Sequence, residues 1–90
     1  MDFEWDAAKS ERNRLLRGLP FELSIPLFDN PTLERIDDPD YGEMRIQAIR
    51  FVAGRMLLCV FTDRGSVRRV ISLRYANRKE RDAYRATYPL

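Results

Sequence analysis

The chain has 90 residues, of which 44% are apolar and 33% charged, with a formal net charge of +2. That length suits a single domain, residues 1–90, whose thin core buries roughly 60–65% of the unfolded surface, and the apolar share excludes a disordered chain. One cysteine and no histidine exclude an internal disulfide framework, a metal centre of the usual ligand spacings and any Ser–His or Cys–His nucleophile pair, so no metal and no cofactor are expected. Cys59 lies inside the apolar run Met56–Phe61 and reads as a buried thiol in a reducing cytosol. No apolar stretch reaches the roughly 18 residues needed to span a membrane. The acidic start Met1-Asp2-Phe3-Glu4-Trp5-Asp6 lacks the features of a signal peptide, so the expectation is a soluble, cytoplasmic protein.

The small net charge conceals a segregation. Residues 1–43 carry 5 basic and 11 acidic side chains, and residues 44–90 carry 11 basic and 3 acidic, giving −6 and +8. Arginine outnumbers lysine 14 to 2. Arginine keeps its charge at any working pH and grips phosphate with a planar fork of donors, so the second half offers a surface to a polyanion.

In chain order, Asp6 is placed to N-cap a first helix over Ala7–Arg17, which Gly18 ends. Its apolar stripe would be Ala8, Leu15 and Leu16, with Glu11, Arg12 and Arg14 facing water. Pro20 can open a second helix to about Phe28, burying Phe21, Ile25 and Phe28, and Pro26 within it predicts a short or broken element. Leu33–Asp37 is a short candidate strand, and Asp38-Pro39-Asp40-Tyr41-Gly42 a turn or exposed loop. Met44–Val52 alternates loosely, Ala53-Gly54-Arg55 is a tight connection, and the apolar run Met56–Thr62 reads as a central strand covered on both faces. Asp63-Arg64-Gly65-Ser66 closes the next hairpin. Val67–Tyr75 is the last strand, with Val67, Ile71 and Leu73 on one side and Arg68, Val70, Ser72 and Arg74 on the other. Asn77 with Glu80 three residues on forms a capping box for a final charged helix, whose apolar contacts are Ala76, Ala83, Tyr84 and Tyr88. The fold class is α+β: a twisted antiparallel sheet of about four strands with two N-terminal helices and one C-terminal helix, the helices on one face.

The acidic cluster Asp37, Asp38 and Asp40 lacks the pattern of a calcium loop and reads as a solvated turn. What remains for chemistry is arginine on strands, since a covered sheet face would bury such charges at high cost. Arg50, Arg55 and Arg68 read as edge-strand charges. Arg64, Arg69 and Arg74, in or beside one hairpin, are the functional candidates.

The segment Phe3-Glu4-Trp5-Asp6-x-x-Lys9, then Asn13, Gly18, Phe21 and Phe28-Asp29, then Arg45 resemble the BrnT family of toxins. Thr62-x-Arg64, Arg69-Val70-Ile71-Ser72-Leu73-Arg74-x-Ala76, Glu80 and Tyr84 continue the resemblance over nearly the whole chain. It implies a RelE-like fold, metal-independent RNA cleavage, and a BrnA-type antitoxin joined to the toxin in a hetero-oligomer. One departure is local: the family's first helix usually ends Lys-His-Gly, and this chain reads Leu16-Arg17-Gly18.

RNA carries its own nucleophile, the 2′-hydroxyl. The protein must position it, remove its proton and stabilise charge on the phosphoryl oxygens, a task suited to arginine. The expected grip on the scissile phosphate is Arg64, Arg69 and Arg74, with Arg45, Arg17, Lys9, Arg78 and Tyr84 on the RNA. Glu80, Lys9 and Tyr84 are the candidates for general base. Arg69 and Arg74 are five apart, so a regular strand puts them on opposite faces, and both reach one phosphate only if a bulge or the strand end re-aims one of them. The alternative is a catalytically degenerate module that binds nucleic acid or an antitoxin without cleaving.

Overall fold

A computed structural model describes residues 1–38 and 42–89. In it the apolar run Met56–Thr62 lies in the middle strand of a five-stranded sheet, and all seven of its residues are buried. The elements are β1 (Asp2–Glu4), α1 (Ala7–Arg17), a 3-10 turn Phe21–Leu23 leading into α2 (Ser24–Leu27), β2 (Leu33–Asp38), β3 (Arg45–Val52), β4 (Arg55–Arg64), β5 (Val67–Tyr75) and α3 (Arg78–Thr87). The sheet order is β1-β5-β4-β3-β2, with β1 parallel to β5 and the other neighbours antiparallel. The α+β architecture is the expected one with a fifth strand added. Three residues of β1 are too few to show an alternation, and only pairing with Val67, Arg68 and Arg69 makes them a strand. The loop expected at 38–42 falls, at residues 39–41, outside the described residues. No described helix is long and apolar enough to cross a membrane.

The helices do not share one face, as alternation along β4 requires. Leu57, Cys59 and Phe61 point to a core closed by Leu19, Phe21 and Leu27 of the α2 region, while Met56, Leu58 and Val60 point to a second core closed by Tyr84 and Ala76 at α3. Each fully buried Leu or Phe stabilises the fold by about 1.5–3 kcal/mol, so both layers are needed to hold a continuously apolar strand. Burial of Cys59 pushes its thiol up to about 12. The second helix is short as expected, yet Ile25 is exposed and Leu27 and Ser24 are buried in its place. The Arg50 guanidinium donates to the Pro26 and Leu27 carbonyls (2.6 and 3.1 Å), so it caps this helix and does not guard an edge.

Helix α1 departs most from its sequence pattern. Asp6 caps it through the Lys9 N–H, and Gly18 ends it at φ 70°, as expected. The stripe Ala8, Leu15 and Leu16 is exposed, however, with Leu16 at 77%. The helix is held by polar groups. Ser10 Oγ accepts from the Phe21 N–H at 2.9 Å, and the Asn13 amide donates to the carbonyls of Leu19 (2.6 Å) and Leu73 (2.9 Å). The reason is position: α1 runs beside β5 beyond the end of β1, where strand carbonyls need donors and an apolar contact would leave them unsatisfied.

The last strand carries a bulge. Val60 pairs with Ser72 and Phe61 with Val70, leaving Ile71 unpaired. Arg68, Val70 and Leu73 therefore face the α2 side, and Arg69, Ile71 and Arg74 the α3 side, which corrects the regular alternation read from sequence. Arg68 lies over the rings of Phe28 (4.5 Å) and Phe61 (4.0 Å) and pairs with Asp63 at 2.8 Å, a packing role.

The capping box of α3 is present, and its Glu80 does more than cap. Its carboxylate is buried, 2% exposed, and accepts from Arg74 (2.8 and 2.9 Å), Arg35 (2.6 Å) and the Asn77 N–H (2.8 Å). The Arg74 hydrogen bond, with Asn77 and Arg35, draws its pKa down to about 2. A carboxyl whose folded pKa lies below its unfolded value contributes stability that is present above the unfolded pKa and is lost as pH falls through the folded one. Glu80→Gln should cost about 2 kcal/mol at neutral pH by leaving two arginines short of their acceptor. The gap from the parent protein should close between about pH 4.5 and about pH 2 in urea denaturation series.

Candidate functional site

The half of the α3-side face not covered by α3 is open. A cleft of about 190 Å³ there is lined by Arg45 from β3, Arg64 from β4, Arg69 from β5, Lys9 and Asp6 at the start of α1, and Glu43. Four cations from four elements thus meet at one spot. Strand parity accounts for three of them, because Arg45, Arg64 and Arg69 all point to the α3 side. The N-cap at Asp6 accounts for the fourth, since it fixes where the first turn of α1, with Lys9, meets the sheet.

The arginines of this cleft rest on carboxylates. Glu43 accepts from Arg64 at 2.8 and 3.2 Å, and Glu4 lies 3.5 Å from Arg69 and 3.9 Å from Arg64. The Arg64 hydrogen bond, with the charges of Arg45 and Arg69 beside it, holds the Glu43 carboxyl below the usual carboxylate range. Asp6 is lowered too, chiefly by the Lys9 N–H that it caps. Arg64 and its partners Glu43 and Glu4 keep roughly half of their side-chain surface in water. Exposed pairs of this kind are worth about 0–1 kcal/mol and exchange readily for a better acceptor such as phosphate.

The residues singled out from sequence divide into three groups. Arg64, Arg69, Arg45 and Lys9 converge on the cleft. Arg74 and Glu80 form their own pair on the same face under the start of α3, with Glu80 buried and Arg74 partly exposed, joined by Arg35. The bulge does bring Arg74 to the face of Arg69, but Glu80 claims its guanidinium. Arg17 lies further along α1, donating to the Leu73 carbonyl at 3.2 Å. Arg78 is exposed in the first turn of α3, and Tyr84 is buried in the core against Tyr88.

Three carboxylates at the site carry no signal of such a role in the sequence. The pattern around Asp6 marks only a helix cap. Glu4 belongs to the family-like opening segment, and β1 is what carries it to Arg69, its register partner. Glu43 sits just before β3 with no local pattern to mark it.

The pairings imply different costs of removal. Arg64→Ala and Arg69→Ala should each change stability by less than about 1 kcal/mol, whereas Arg74→Ala should cost about 3 kcal/mol, because the buried Glu80 carboxylate loses both hydrogen bonds from Arg74 and keeps only those from Arg35 and the Asn77 N–H. Urea midpoints of the three variants check this, and an equal loss at Arg64 would make the open cleft a structural feature.

A family model described as "Ribonuclease toxin, BrnT, of type II toxin-antitoxin system" matches residues 5–80 of the chain. A search of curated proteins finds no match.

Proposed function

The chain belongs to the BrnT family of type II toxin–antitoxin ribonuclease toxins, and on that premise we propose that it cleaves RNA, without a metal, in the cleft between Arg45, Arg64, Arg69 and Lys9. The observation that carries the reading is the convergence of these four cations from separate elements beside two carboxylates, Asp6, which caps α1, and Glu43. A phosphodiester entering the cleft displaces Glu43 and Glu4 from the guanidiniums, which then bind the non-bridging oxygens. Charge grows on these oxygens in the transition state, so the arginines bind it more tightly than the ground state.

The displaced Glu43 carboxylate is left beside the sugar and takes the proton of the 2′-hydroxyl. The 2′-oxygen attacks phosphorus, the bond to the 5′-oxygen breaks, and the Lys9 ammonium returns a proton to that oxygen. The products are a 2′,3′-cyclic phosphate and a 5′-hydroxyl. Glu80 does not suit the role of base, since two arginines and a backbone N–H already occupy it, and Tyr84 lies inside the core. In this reading Arg74 and Glu80 hold α3 in place and serve the site indirectly. Residues 1–90 act as one domain in the cytoplasm, restrained by an antitoxin of the BrnA type.

A second reading has one observation behind it: Arg64 and Arg69 are already neutralised by Glu43 and Glu4, as suits a module that holds RNA or an acidic segment without cutting. Incubating purified protein with a synthetic single-stranded RNA in EDTA separates the two. The catalytic reading expects cyclic-phosphate products and their loss in Arg64→Ala and Arg69→Ala. Retention on a native gel with no cleavage supports the binder. Glu43→Gln should lower kcat by about 10²–10⁴-fold with KM unchanged or reduced. A raised kcat in that variant would show that Glu43 only blocks the cleft.

A further inference from the structure

A second cleft, of about 280 Å³, continues from the first along α1. Lys9 and Ile71 line both, so they form a shared wall and not a barrier of separate elements. Beyond that wall Arg12 and Arg17 come from successive turns of α1, on the face that meets β5, and the exposed Leu16 supplies apolar surface, with the buried Phe21 behind it. The two clefts differ in charge. Asp6 and Glu43 line the first, whereas no carboxylate lines the second. Glu11, the only acid on α1, is turned to Arg14, which it accepts from at 3.0 Å. Arg17 is held in place through the Leu73 carbonyl, and Arg12 is exposed.

Cations without acids beside an apolar wall fit a nucleotide: phosphate on the guanidiniums, base against the accessible side chains of Leu16 and Ile71. The volume is near the low end for ligand pockets, about 300 Å³, which suits one nucleotide and not a folded partner. We propose that this cleft is a second nucleotide subsite, which takes the unit of a single-stranded RNA next to the one cleaved, with its phosphate on Arg12 and Arg17. The inference rests on the ribonuclease reading for the direction of the strand, and it makes substrate length matter. The bulge at Ile71 is the device that separates the two positions. It also gives a reason for the exposed Leu16 at the end of α1, which no core contact explains.

The test compares a dinucleotide with a hexanucleotide, each as a cleavable RNA and as a 2′-O-methyl analogue that binds without reacting. For the parent protein the hexamer analogue should bind more tightly by fluorescence anisotropy. Arg12→Ala, at an exposed position, should weaken hexamer binding and raise its KM about ten-fold while dinucleotide kinetics stay the same. It should also lower the salt slope for the hexamer by about 0.7. Equal effects on both lengths, or none on either, overturn the subsite. Length-dependent binding through Arg12 in a protein that cleaves neither RNA supports the subsite and overturns the catalytic reading instead. Cleavage of both lengths with no dependence on Arg12 does the reverse. Binding of a polyglutamate peptide through Arg12, with no binding of either oligonucleotide, assigns the cleft to an acidic protein segment and overturns the proposal.

Discussion

One unpaired residue in β5 decides where the charges of this protein go. Without Ile71 as a bulge, Arg69 and Arg74 would point to opposite faces, and the side chains from Ser72 onward would switch layers. Leu73 would leave the core that it shares with Leu57 and Cys59. With the bulge, the α3-side face receives Arg69 and Arg74 together. The strand keeps a buried residue on each side of the irregularity, Val70 and Leu73. The same residue then forms the wall between two clefts. Bulges commonly re-aim side chains next to functional sites, and this one does so at small cost because its neighbours remain buried.

The arginines on that face divide by the burial of their partners. Glu80 is almost wholly out of water and is surrounded by donors, so opening its pair with Arg74 leaves a buried charge short of hydrogen bonds. Glu43 and Glu4 remain solvated, and their hold on Arg64 and Arg69 is weak and exchangeable. Identical residue types in one sheet therefore serve two ends: a fixed ion cluster that seats α3, and an open set able to change acceptors. The carboxylates in the open set lower the repulsion among Arg45, Arg64, Arg69 and Lys9 until an anion arrives, which lets four cations share a small volume.

Helix α1 links the two clefts, since its Lys9 lines both. It is attached to the sheet by Ser10 and Asn13, not by an apolar stripe, and so its remaining face is free to carry Lys9, Arg12 and Arg17 along the edge of β5. A helix anchored by leucines would have turned these cations to the solvent. The polar attachment also accounts for the signature pattern around Asn13, whose amide satisfies carbonyls from two distant segments at once.

By itself the sequence determined the helix limits at Asp6, Gly18 and Asn77, the central burial of Met56–Thr62, the α+β class and the segregation of charge. These depend on caps, turns and local periodicity, which are properties of neighbours in the chain. Family membership was legible for a similar reason, since an ordered set of residues survives as a pattern. Only the tertiary structure decided that β1 exists, that helices cover both faces, that α1 is held by polar groups, and that Glu80 rather than a phosphate takes Arg74. It also brought Glu4, Asp6 and Glu43 to Arg64 and Arg69. Each of these follows from contacts between residues far apart in the chain, where register, a bulge and competition among acceptors select the partner, and none of them leaves a local signal.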